Sequence, residues 1–196
     1  MPVRVFAVGA FGGEVVRRAT HSAVGLLEIS SLDEARSGDL IALVAARPTP
    51  DLARQLDSDA FRRAYSFVPI WMDGYRCQIG PFVIPPEGPC FACYERRQRQ
   101  HSRRLLIDCA IEDFRARHPV PPDLCPDPPL AAAVAAELAW IGSTASAAPT
   151  PGEVTRIGFP PRGTVRGHVV RVHGCNRCGM SGSRGQTVVG REEVGG

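Results

Sequence analysis

Residues 80–93 read Gly80-Pro81-Phe82-Val83-Ile84-Pro85-Pro86-Glu87-Gly88-Pro89-Cys90-Phe91-Ala92-Cys93. This Gly- and Pro-rich approach ends in two cysteines with two residues between them. A second such pair lies far along the chain, in Gly174-Cys175-Asn176-Arg177-Cys178-Gly179. A two-residue spacer folds each pair into a tight turn with both sulfurs aimed one way, so Cys90, Cys93, Cys175 and Cys178 read as one tetrathiolate zinc site. A closed shell of four thiolates is structural rather than catalytic. Gly179 is expected to supply a positive φ to the second turn, and Pro89 restricts the backbone entering the first. The alternative for either pair is a redox dithiol, but neither has the thioredoxin-type setting of a strand leading into a helix with proline between the cysteines. Cys77, Cys109 and Cys125 are dispersed and read as small apolar residues without a role.

Upstream of the first pair, strand and helix signals alternate. Residues 3–8 form a short apolar run ending at Gly9, and helix-compatible residues follow at 14–19, which is the start of a βα unit. Residues 24–29 and 39–45 are the next strands, the latter aliphatic enough to be buried on both faces. Pro50 and Asp51 open a helix to about residue 64 with Leu52, Leu56, Ala60 and Phe61 at helical spacing. Residues 66–72 form a fourth strand, and 75–83 a further strand or hairpin arm. Strands separated by helices of this length predict parallel pairing, hence an α/β protein with a Rossmann-like three-layer sheet.

Downstream, residues 95–104 predict a helix rich in arginine, with Arg96, Arg99 and Arg103 on one side. That side suits a carboxylate-rich partner, and it also suits an ordinary solvated face. Residues 130–141 are nearly all apolar and predict a buried helix. Residues 153–159 and 165–172 alternate as a β-hairpin that returns Cys175 to the first pair. The domain is expected to span 1–179, with 180–196 a disordered tail rich in Gly, Ser and Arg. Trp71 and Trp140 are expected to pack in the core.

The 196 residues are 44% hydrophobic and 22% charged, which fits one ordinary domain. No signal sequence and no run of eighteen apolar residues occur, so a cytoplasmic protein without a membrane span is expected. A net charge of +3 with both signs interspersed gives no basis for nucleic-acid binding. All basic side chains other than histidine are arginines. Without lysine there is neither a GxxxxGK phosphate loop nor a lysine Schiff base. The turn at Gly9, Gly12 and Gly13 follows a strand as a nucleotide loop would, yet Phe11 and Glu14 stand where GxGxxG has glycine. Glu14 is expected to occupy the anion-favouring helix terminus and repel phosphate, leaving a degenerate loop. His168 and His173 lie near the second pair, but four cysteines already fill a zinc shell.

The stretch from Gly80 to Cys93, followed by Arg96 and Arg97, resembles the signature of E1-like (ThiF-like) cyclodehydratase partner proteins. Gly174 to Gly179 is similar to the closing GCxxCG of the same family, so the resemblance runs from about residue 3 to 179. These proteins serve the biosynthesis of azole- and azoline-modified peptides. The resemblance implies an E1-like fold with a structural Zn2+ held by Cys90, Cys93, Cys175 and Cys178. It implies a scaffold subunit, non-catalytic or weakly catalytic, that presents a ribosomal precursor peptide to a YcaO-type partner. That partner supplies the ATP chemistry. Members that bind the leader peptide themselves carry a winged-helix clamp ahead of the first strand. Here that strand begins at residue 3, so leader capture is expected to fall to a separate clamp protein. A homodimer is a further expectation. Two other functions fit the same residues: an E1-type adenylyltransferase activating a carboxylate with ATP, and a zinc-organised dimerisation module.

Overall fold

A computed structural model describes residues 2–22, 26–73, 76–118, 128–143, 149–158 and 163–179. Its centre is a seven-stranded sheet in the order β2-β1-β3-β4-β5-β6-β7. The strands are β1 Val3–Val8, β2 Leu26–Ile29, β3 Leu40–Ala45, β4 Ser66–Asp73, β5 Arg76–Ile79, β6 Glu153–Gly158 and β7 Thr164–His168. β2, β1, β3 and β4 run parallel, with Val5 paired to both Glu28 and Ala42. From β4 onward every pairing is antiparallel. The C-terminal hairpin, β6 and β7, is part of the same sheet, because β5 joins it to the parallel strands.

Two layers of helix cover the sheet. α1 (Gly9–Ser22) and α5 (Pro128–Ser143) pack on one face with Val3, Val5, Leu40, Ala42 and Val44. α2 (Pro50–Arg63) and α3 (Phe91–His101) pack on the other with Ile41, Leu43, Ala45 and Phe67. Side chains alternate across a strand, so β3, buried at every position, supplies both cores and must be apolar throughout. Pro50 starts α2, where its missing N–H costs nothing, and Ala64 ends it in the left-handed conformation with φ 54°. Among the described residues no helix is long and apolar enough to cross a membrane.

Three expectations are corrected here. The helix placed at 95–104 begins earlier, at Phe91, so the first cysteine pair sits on its first turn. It also ends earlier. The Ser102 hydroxyl accepts a hydrogen bond from the Arg104 amide at 3.0 Å, and this local bond replaces the helical one. Arg103 therefore does not share a helical face with Arg96 and Arg99; it lies in the turn before a separate helix, α4 (Leu105–Arg117). Trp71 is in the core, but Trp140 is 49% exposed on α5. Cys125 and residues 180–196 lie outside the described residues.

Candidate metal centre

Cys90 is the N-cap of α3, extended at φ −85° and ψ 170°, and its carbonyl accepts the amides of Cys93 at 3.0 Å and Tyr94 at 3.3 Å. One turn of helix therefore brings Cys93 beside Cys90, with 3.8 Å between the sulfurs. The second pair forms a matching turn in which the Gly179 amide donates to the Cys175 carbonyl at 2.7 Å. Gly179 is required for a reason other than the expected positive φ. A Cβ there would stand 2.1 Å from the Cys175 oxygen, so the turn closes only without a side chain.

The structure brings all four sulfurs together. Cys90 Sγ lies 3.5 Å from Cys175 Sγ, Cys93 Sγ lies 3.3 Å from Cys178 Sγ, and the four atoms are within 4.8 Å of one another. Zinc–sulfur bonds of about 2.3 Å give a tetrahedron with edges of about 3.8 Å, so the cluster has the size of a tetrathiolate site. All four residues are buried, and no other group of metal-competent side chains occurs among the described residues. His168 and His173 are exposed and outside the cluster.

The segment carrying the second pair is strapped to the first by arginines. Arg97 Nη2 donates to the Arg171 carbonyl at 3.1 Å, and Arg171 Nε donates to the Gly88 carbonyl at 2.5 Å. The Val172 amide donates to Cys93 Sγ at 3.3 Å, the kind of bond that stabilises a thiolate. Beneath the cluster, the Asp57 carboxylate on α2 accepts the Phe91 amide at 2.9 Å and pairs with Arg177. Burial raises the Asp57 carboxyl above its ordinary value, outweighing the Phe91 amide and Arg177, which act to lower it. This second layer escapes sequence reading, because Asp57 looks like any polar residue of an amphipathic helix.

Burial also pushes the Cys90 thiol up, and the Cys178 thiol up to about 11. At Cys175 burial acts in the same upward sense. The amides of Cys178 and Arg177, with the neighbouring thiols, overcome it and bring the group down to about 6. A metal-free cluster thus holds protons on buried thiols, which a cation would displace.

The glycine turn is built differently from its expected form. Glu14 is not at the helix terminus; α1 begins at Gly9, and Glu14 is tied to Arg17 and Arg18 at 2.7 and 2.6 Å. Those hydrogen bonds lower its carboxyl to about 2. Its charge is offset within its own helix rather than placed at the terminus. Phe11 instead turns into the core, fully buried. Gly12 lets α1 settle on the sheet, since a Cβ there would meet the Val44 carbonyl at 2.8 Å.

Across the sheet from α1, a cleft of about 700 Å³ opens between the start of α2, α3 and α4. Trp71, Phe91 and Tyr94 form its apolar part, with Arg47, Arg99 and Glu112 among its charged lining. The Thr49 hydroxyl is buried at this cleft with no hydrogen-bond partner among the described residues. Of the arginines singled out from sequence, Arg99 lines the cleft, while Arg96 and Arg103 are exposed away from it.

No protein-family model matches the chain, and no curated protein matches it by sequence. Solved structures do match by fold. The heterocyclase TruD superposes with a TM-score of 0.62 at 16% identity, over 91% of this chain and 27% of that one. The E. coli microcin synthetase complex McbBCD gives 0.65 at 12% identity, over 89% of this chain and 67% of the other. E. coli MccB, solved with MccA, gives 0.60 at 16% identity, over 91% and 66%. The chain thus spans about a quarter of the heterocyclase TruD and about two thirds of the other two. The likeness covers about nine tenths of this chain and establishes a shared fold.

Proposed function

We propose that this chain, with the fold found in TruD and McbBCD, is an E1-like scaffold subunit of a peptide-heterocyclising complex. In this reading the parallel strands and their helices are a Rossmann-like platform. Zn2+ held by Cys90, Cys93, Cys175 and Cys178 locks the segment after β7 onto the start of α3. The ion's contribution is structural, because four thiolates leave no open position for a substrate. The subunit presents a precursor peptide to a YcaO-type partner, which supplies ATP-dependent activation. The observation that carries the proposal is the convergence of the two cysteine pairs within a fold shared with a heterocyclase and a microcin synthetase.

The test is coexpression of the chain with a YcaO-type protein and its precursor peptide, followed by mass spectrometry. Loss of one water per ring, dependent on this chain, is the expected result. Equal conversion without it would remove the scaffold role.

A second reading, an E1-type adenylyltransferase, is favoured by one observation. MccB, solved in another structure with ATP, shares this fold with a TM-score of 0.56 at 17% identity. Against it stand the buried Phe11 in the glycine turn and the absence of lysine. Calorimetric titration with ATP discriminates: one-to-one binding by the isolated chain would favour adenylation over scaffolding.

A further inference from the structure

One apolar face of α4 is turned away from the cleft. Leu105, Asp108, Cys109, Ile111, Glu112, Asp113 and Arg115 line the cleft, whereas Leu106, Ile107, Ala110, Phe114 and Arg117 do not. Leu106 is 86% exposed, Phe114 57% and Ile107 55%. At 100° per residue, Leu106, Ile107, Ala110 and Phe114 fall on one face, so three large apolar side chains form a continuous stripe. Scattered apolar exposure needs no explanation, but a contiguous stripe on one helix face does. The C-terminal end of the helix is held from the cleft side. Arg47 donates to the carbonyls of His118 at 3.2 Å and Arg115 at 3.5 Å, and Arg115 pairs with Asp73 at 3.6 Å.

The charges around the stripe are unevenly placed. The acids Asp108, Glu112 and Asp113 are on the cleft side, while Arg103 and Arg104 precede the stripe and Arg117 follows it, all three exposed. An apolar stripe with guanidinium groups at both ends is complementary to a helix that is apolar on one side and acidic around it. It is poorly complementary to itself. Antiparallel pairing of two copies centred on Ala110 sets Arg103 and Arg104 of each against Arg117 of the other, and parallel pairing sets each arginine against its own copy. Either arrangement brings like charges together.

We propose that the outward face of α4 is a docking surface for an acidic amphipathic helix of a partner protein, seated on Leu106, Ile107, Ala110 and Phe114 with its carboxylates on Arg103, Arg104 and Arg117. The inference needs only the surface of α4, so failure of the heterocyclisation test leaves it standing. The probe is a synthetic helical peptide with leucine on one face and glutamate elsewhere, beside a twin carrying lysine for glutamate. Both are titrated against the full chain by fluorescence anisotropy. The glutamate peptide should bind roughly tenfold tighter than its twin. Arg103→Glu/Arg104→Glu/Arg117→Glu should invert that preference, and Leu106→Ser/Phe114→Ser should weaken both peptides roughly tenfold with the melting curve unchanged. Equal affinity for the two peptides, or a preference that survives the charge reversal, would overturn the proposal. So would wild-type self-association in sedimentation equilibrium that Leu106→Ser/Phe114→Ser abolishes, because the occupant would then be a second copy.

Discussion

Arg177, between the two cysteines of the second pair, forms an ion pair with Asp57, a fully buried carboxylate in the interior of α2. The same carboxylate accepts the amide that follows Cys90. One side chain thus ties both cysteine pairs to a helix that contributes none of the four. A ligand cluster stays organised only when the groups behind it are themselves held.

Replacing Asp57 should therefore be costly. Asp57→Ala leaves the Phe91 amide and the Arg177 guanidinium without their acceptor and should destabilise by about 1–3 kcal/mol in urea denaturation. Asp57→Asn keeps an acceptor and should cost less. The pH dependence has a definite sign. Because the folded-state value is raised, the folded protein holds this proton more tightly than the unfolded chain does. Asp57 favours folding most below its unfolded value, and that contribution declines as pH climbs from about 4 through the folded value. In Asp57→Asn this component of the stability curve should vanish.

Zinc removal offers a direct check on the four sulfurs. Metal analysis of the purified chain should return one zinc per molecule, and chelation should lower the melting temperature by on the order of 10 °C. Cys90→Ser or Cys178→Ser should abolish stoichiometric zinc, whereas Cys77→Ser, whose buried thiol is pushed up to about 12, should retain it. Retention of zinc by Cys178→Ser would refute the four-thiolate site.

Metal uptake should release protons. The Cys178 thiol at about 11 is protonated at neutral pH, while Cys175 at about 6 is already largely thiolate. Zinc affinity, followed by competition with a chromophoric chelator, should fall as pH drops, and more steeply below about 6, where Cys175 too must surrender a proton. A flat profile between about pH 5 and 8 would contradict binding through these thiols.

Two glycines should be intolerant for steric reasons. Gly179→Ala places a methyl on the Cys175 carbonyl and should lose zinc, read by metal analysis. Gly12→Ala forces α1 off the sheet and should cost about 1–3 kcal/mol with zinc retained.

The arginines of α3 should separate by role. Arg96→Gln/Arg99→Gln should leave stability within about 0.5 kcal/mol and weaken partner capture at low salt, since both side chains are exposed. Arg97→Gln should instead lower stability, because Arg97 holds the carbonyls of Val170 and Arg171. Pull-downs at two salt concentrations alongside thermal melts check both.

Local sequence determined the elements whose chemistry is local. The apolar run of β3 announces a strand with two buried faces, Pro50 announces the start of α2, and each two-residue cysteine spacer announces a turn. Those patterns depend on neighbours within one turn or one strand, so they are written in the chain order. Other features were decided only by packing. Nothing near Asp57 signals that a helix polar residue will be enclosed beneath a cysteine cluster. No periodicity around residue 103 reveals that Ser102 divides one helix from the next, and Glu14 looks like a terminus residue until the start of α1 is fixed at Gly9. The outward stripe of α4 is the extreme case, because which side of that helix meets the protein depends on Arg47 and Asp73, residues distant in the chain that hold its C-terminal end.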